Sequence, residues 1–209
     1  MNDPVGALIR ALLLAGPVLL AVTIHELAHG WVAFRLGDDT AKRAGRLSFN
    51  PLRHLDLVGT IVFFVTQMIG WAKPVPINPR HFRRPRQDMI WVSLAGPAAN
   101  LALAVVFAQF HNLIGALNFG PEAAGWLSIF QFICYLGTVI NIGLAVFNLL
   151  PIPPLDGSHI LEGLLPLELA MAYHRLAPYG FLILIALIFL GLAGKIIYPV
   201  ITVIKALLL

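Results

Sequence analysis

The chain reads as an all-α polytopic membrane protein: a helix bundle with a re-entrant apolar segment and short membrane-surface strands. Three observations lead there. Of its 209 residues, 59% are apolar and only 11% are charged, against about half and roughly a quarter in ordinary soluble domains. Apolar runs of about 20 residues recur, each long enough to cross a hydrocarbon core roughly 30 Å thick. Between two of these runs lies an apolar segment too short for a full crossing, LVGTIVFFVTQMIG at 57–70.

Taken in order, the first helix runs from about Gly6 to Phe34, softened at Gly16–Pro17. The polar stretch from Gly37 to Asp56 follows, with Gly, Asn and Pro punctuation that suits strands or turns at the membrane surface. Segment 57–70 fits an interfacial or re-entrant element. Prolines at 74, 76, 79 and 85 then exclude a regular helix over residues 70–88. Spans follow at about Met89–His111 and Trp126–Leu150, separated by Gly120-Pro121, and the second stops at PIPP. A polar-flecked stretch covers 155–176. The last apolar segment, Pro178–Leu209, holds Lys195 and Pro199 and reads as one bent helix or two pieces. With no repeat or low-complexity tract, residues 1–209 read as a single membrane-embedded domain. MNDPVG lacks the basic start of a removable signal peptide.

Charge placement is informative. Ten of the fourteen Lys and Arg residues lie between Arg35 and Arg86, whereas 112–125 has none. That asymmetry fits loops on the inner side of a membrane. No nucleic-acid-reading module accompanies the basic residues, so nucleic acid is excluded as a partner. Cys134 stands alone in an apolar helix, allowing no intramolecular disulfide and reading as a small buried hydrophobe. Gln131 and Asn141 read as hydrogen-bonders between membrane helices, and Gly96, Ala98 and Ala99 as residues that let helices approach closely. Trp71, Trp91 and Trp126 fall at expected membrane interfaces.

One segment breaks the apolar pattern. VTIHELAHGW, residues 22–31, carries His25, Glu26 and His29 at the end of the first helix. Ionisable groups within a membrane helix are costly and mark function. His25 and His29 share one helical face and can reach one metal ion, with Glu26 beside them as a general base. Zinc fits this pattern, because it lowers the pKa of bound water to about 7. A catalytic zinc usually has three protein ligands. His54, Asp56, Glu122, Asp156, His159 and Glu162 are candidates for the third, with Asp156 favoured by its place after the helix stop FNLLPIPPLDG. Gly157 beside it permits close backbone approach.

HELAHG at 25–30 and NLLPIPPLDG at 148–157 resemble the two signature motifs of the site-2 protease family of intramembrane zinc metalloproteases. SLAGPAAN at 93–100 is similar to its intervening motif. NPLRHLDLVGT at 50–60 and GWAKPVPINP at 70–79 resemble segments of its compact prokaryotic branch, which lacks PDZ and nucleotide-sensing domains. The resemblance extends to about residue 162. It implies that His25, His29 and Asp156 bind one Zn2+ ion and that Glu26 activates water. It further implies that Asn148 polarises the scissile carbonyl or stabilises its oxyanion, that Asn100 is structural, and that His159 packs nearby.

Membrane geometry tests this ligand set. His29 and Asp156 share a metal only if an even number of crossings separates them. The spans at 89–111 and 126–150 supply two, so 57–70 must enter and leave on one face. The basic residues then place the site toward the cytoplasmic face of a prokaryotic plasma membrane, with the N-terminus outside. Expected partners are the lipid bilayer and protein substrates with transmembrane segments, cut within or beside those segments. An extended substrate could pair with a strand edge within Lys42–Asn50 and Lys73–Asn78. The rival reading, a zinc transporter, calls for polar groups across the whole membrane thickness. The candidate ligands instead gather near one face.

Overall fold

The computed structural model describes residues 4–66, 72–117 and 121–209. Helix α1, Pro4–Arg35, passes through Gly16–Pro17 without ending there. It stops where Gly37 takes a positive φ of 109°. The Gly37 N–H then reaches the Phe34 carbonyl, and the Asp38 N–H reaches that of Ala33 at 2.9 Å. A residue with a Cβ resists that left-handed turn, so glycine sets the helix end. One helical turn follows, α2 at Thr40–Arg43, and then α3 at Leu57–Thr66.

Two long helices complete the frame. Both α4, Pro85–Ala116, and α5, Pro121–Asn148, begin on a proline whose missing N–H costs nothing at a first helical position. The prolines at 151, 153 and 154 separate α5 from α6, Asp156–Leu164. Helix α7, Leu167–His174, then leads through a tight turn at Ala177–Tyr179 into α8, Gly180–Phe189. The last apolar segment is therefore two pieces: Gly191, with φ +68°, breaks it before α9, Leu192–Leu208.

Side-chain bonds set the helix directions. His29 meets the Val92 carbonyl and His25 meets Asn100, so α1 and α4 are antiparallel. Asn100 meets Asn141 and His111 meets the Gln131 carbonyl, so α5 runs antiparallel to α4. The Asn112 amide donates to the Leu208 carbonyl, and Lys205 lies over the Tyr135 ring, so α9 runs antiparallel to α5. Among the described residues, four stretches are long and apolar enough to cross a membrane: Leu12–Arg35, Pro85–Ala116, Gly125–Asn148 and Leu167–Phe189. The fourth is divided among α7, the turn and α8. Leu12, Trp126, Phe189 and Leu207 are each at least 66% exposed, a surface suited to lipid rather than water. Trp91 near the start of α4 and Trp126 near the start of α5 fall at opposite ends of the bundle.

The surface strands reduce, among the described residues, to one antiparallel bridge between Leu55 and Ala72. The expected edge forms no strand: Lys42 lies in α2, and prolines at 74 and 76 remove ladder donors from the second segment. The bridge is informative all the same. Lys73 donates its N–H to the His54 carbonyl at 2.9 Å, so the chain returns after residue 71 to the place it left at 56. Residues 67–71, including Trp71, lie outside the described residues.

Candidate metal centre

His25 and His29 lie one helical turn apart in α1, and Asp156 is the first residue of α6. A Cβ on Gly157 would lie 2.2 Å from the Leu149 carbonyl oxygen. Only a glycine lets α6 sit this close to the end of α5, which brings Asp156 over α1. The Oδ2 of Asp156 is 3.2 Å from His25 Nε2 and 3.3 Å from His29 Nε2, and the two Nε2 atoms are 3.0 Å apart. Both histidines are under 8% exposed.

The hydrogen bonds behind this triangle decide what it can hold. His29 Nδ1 lies 2.7 Å from the Val92 carbonyl, which can only accept, so Nδ1 carries the proton. The Asn100 amide nitrogen donates to the Ala21 carbonyl and to Asn141 Oδ1. Its Oδ1 therefore faces His25 Nδ1, 2.6 Å away, and accepts from it. Each neutral imidazole is left with a bare Nε2. The buried Asp156 Oδ2 has no hydrogen-bond donor. Three electron pairs thus converge with no proton among them, an arrangement that repels itself unless a cation sits at the centre. A tetrahedral zinc about 2.0 Å from each ligand sets them about 3.3 Å apart. The donor set fits zinc.

Glu26 follows His25 directly in α1. Its Oε2 accepts the Val75 N–H at 2.9 Å, which ties α1 to the proline-rich segment 73–79. The two prolines flanking Val75 carry no N–H of their own. Gly96 contributes by what it lacks: a Cβ there would lie 2.5 Å from His29 Nε2 and 2.6 Å from His25 Cε1. Sequence reading took Gly96 as a packing residue and gave no sign of Val75 or Val92.

Among the described His, Asp and Glu candidates, none besides Asp156 joins the two histidines. Asn148 ends α5 with its amide turned back to the Leu144 carbonyl at 2.9 Å. His54 is fully buried and donates to the Ser48 carbonyl. Asp56 accepts the Gly59 N–H at the start of α3. Glu162 pairs with His174, and His159 is exposed. The Glu122 side chain lies outside the described residues. A second group with ligand-type side chains joins Asp38, Asp39 and His81. There Asp38 is fully buried and accepts from the Thr40 hydroxyl and N–H, the Asn78 N–H and His81 Nδ1.

A family model described as "Peptidase family M50" matches residues 13–191. YwhC of Bacillus subtilis, whose name describes a zinc metalloprotease, is 41% identical over 87% of this chain and 82% of its own length. Rip2 of Mycolicibacterium smegmatis, similarly named, is 36% identical over 81% of this chain and 64% of its own length. MJ0611 of Methanocaldococcus jannaschii, also named as a zinc metalloprotease, is 44% identical over 66% of this chain and 63% of its own length. No solved structure matches. With four described stretches long and apolar enough to cross a membrane and a donor set suited to zinc, the chain belongs to peptidase family M50, the site-2 protease family, and is a zinc-dependent peptidase of the membrane.

Proposed function

We propose that the chain hydrolyses peptide bonds within or beside the transmembrane segments of membrane proteins, as one domain over residues 1–209. In this reading His25, His29 and Asp156 hold one zinc ion. The observation that carries it is the convergence of two bare imidazole nitrogens and one donor-free carboxylate oxygen, at the turn of α1 that also carries Glu26. Bound zinc supplies Lewis acidity and makes hydroxide available near neutral pH. Glu26 takes the proton from the attacking water and passes it to the leaving amine. The Val75 N–H holds that carboxylate in place before substrate arrives. Asn148 donates to the developing oxyanion in this reading, which requires its amide to leave the Leu144 carbonyl.

The site lies toward the cytoplasmic face of a prokaryotic plasma membrane. The ten basic residues between Arg35 and Arg86 support this, as does the pairing of Leu55 with Ala72, which returns the intervening chain to its own side. Cysteine labelling should find residues 42–46 and 80–86 on one face; labelling from opposite faces would contradict the reading. The activity is tested with Glu26→Gln. New N-termini within or beside transmembrane segments should arise in membranes carrying the wild type and not the variant, with zinc bound in both. Equal fragment patterns with zinc in both would remove Glu26 from the proposed chemistry.

A further inference from the structure

Asn100 and Asn141 are both fully buried where α1, α4 and α5 meet. Interhelical glue explains their presence but not the direction of their bonds. The Asn141 amide nitrogen donates to the Gly137 carbonyl of its own helix at 2.8 Å. That leaves Asn141 Oδ1 as the atom facing Asn100, where it accepts from Nδ2 at 2.8 Å. The second N–H of Asn100 is spent on the Ala21 carbonyl at 3.0 Å. Turning the Asn100 amide over would set its oxygen against two other oxygens and lose two bonds between buried groups.

We infer that Asn141 is a positioning residue of the metal centre, locking the Asn100 amide so that His25 keeps its proton on Nδ1 and presents a bare Nε2. The inference rests on the reading of His25 as a zinc ligand. A relay runs from the Gly137 carbonyl through Asn141 and Asn100 to His25, and every group in it has one allowed direction. His29 is fixed more simply, by the Val92 carbonyl alone. The two imidazoles thus differ: the tautomer of His29 is set by backbone, and that of His25 by two side chains on two other helices. Outer groups that orient a ligand typically change metal affinity 10- to 100-fold when removed.

The test is zinc affinity of the full-length protein in detergent, by competition with a chromophoric chelator, together with the imidazole nitrogen NMR signature of His25. Asn141→Leu keeps the volume and removes the lock. It should weaken zinc at least tenfold and shift His25 toward a mixture of tautomers. Asn141→Asp, as a buried carboxylic acid, keeps an oxygen for Asn100 and a hydroxyl for Gly137, and should bind zinc within a few-fold of wild type. In an Asn100→Ala background, Asn141→Leu should change zinc affinity no further, because the two act in series. If Asn141→Leu lowers the melting temperature but binds zinc as wild type does, the residue is glue alone and the inference fails. His25→Ala is the control for the underlying reading. Undiminished zinc in His25→Ala overturns the ligand assignment itself, whereas lost zinc there with normal affinity in Asn141→Leu overturns only the relay.

Discussion

Two carboxylates among the described residues, Asp38 fully buried and Asp156 partly so, sit among histidines, and their surroundings differ in one respect. Asp156 Oδ2 meets two imidazole nitrogens and no proton. Asp38 meets four donors: the Thr40 hydroxyl at 2.5 Å, the Thr40 N–H, the Asn78 N–H at 2.7 Å and His81 Nδ1. Residue types alone would nominate either cluster as a metal site. Counting donors against acceptors separates them. The first lacks positive charge and suits a cation; the second is saturated and works as a clasp between the end of α1 and the segment before α4.

The strongest challenge to that distinction is to remove each carboxylate in turn. Asp156→Ala should abolish stoichiometric zinc, and a chelator should no longer lower the melting temperature as it does for the wild type, since only a bound ligand stabilises by mass action. Retention of full zinc by that variant would erase the contrast. Gly96→Ala attacks the same site without touching a ligand. Its methyl should displace both imidazoles, at about 1–3 kcal/mol for overpacking, and weaken zinc measurably in the chelator assay.

Asp38→Asn should leave zinc affinity intact and lower stability by about 1–3 kcal/mol, the cost of mismatched buried donors. Acidity sharpens this. Burial pushes the Asp38 carboxyl up, but the bonds from Thr40, Asn78 and His81 outweigh it and hold the group below its ordinary value of 3.8. A carboxylate with a lowered pKa contributes stability that is full above the unfolded value and is lost as pH falls through the folded one. The wild type should therefore lose stability below about pH 4 more steeply than Asp38→Asn, read from melting temperature against pH. The smallest effect is expected at the neighbouring Asp39. Its pair with Arg43 is exposed, so Arg43→Ala should cost under about 0.5 kcal/mol in the same melts.

Much of this could be anticipated from the chain, and the exceptions have a common cause. His25, Glu26 and His29 declare themselves because helical spacing and an apolar background are local properties. The three long helices do so for the same reason, each within a few residues of its observed ends. Crossing parity returns residues 57–70, of which 67–70 lie outside the described residues, to one face, and the pairing of Leu55 with Ala72 supports that return. The contact of Val75 with Glu26 was not legible, because a proline-broken stretch has no periodicity from which to read a partner 49 positions away. Gly96 reads from sequence as a close-approach residue and Asn141 as an interhelical hydrogen-bonder, since a residue's effect on a neighbour's lone pair depends on a bond direction that only coordinates show. Whether Pro178–Leu209 formed one helix or two hinged on Gly191, a single left-handed residue in an otherwise uniform apolar run.

The docking of α6 against the end of α5 has a consequence in time as well as in space. On the proposed ligand set, His29 leaves the ribosome about 127 residues before Asp156. At about 5–20 residues per second that is an interval of roughly 6–25 s. Throughout it the chain offers two imidazoles and no third ligand, and α1 enters the bilayer without a finished centre. A nascent hydrolase is thereby kept inert beside the other proteins being inserted around it. Its reactivity waits for the α5–α6 junction to emerge and close over α1.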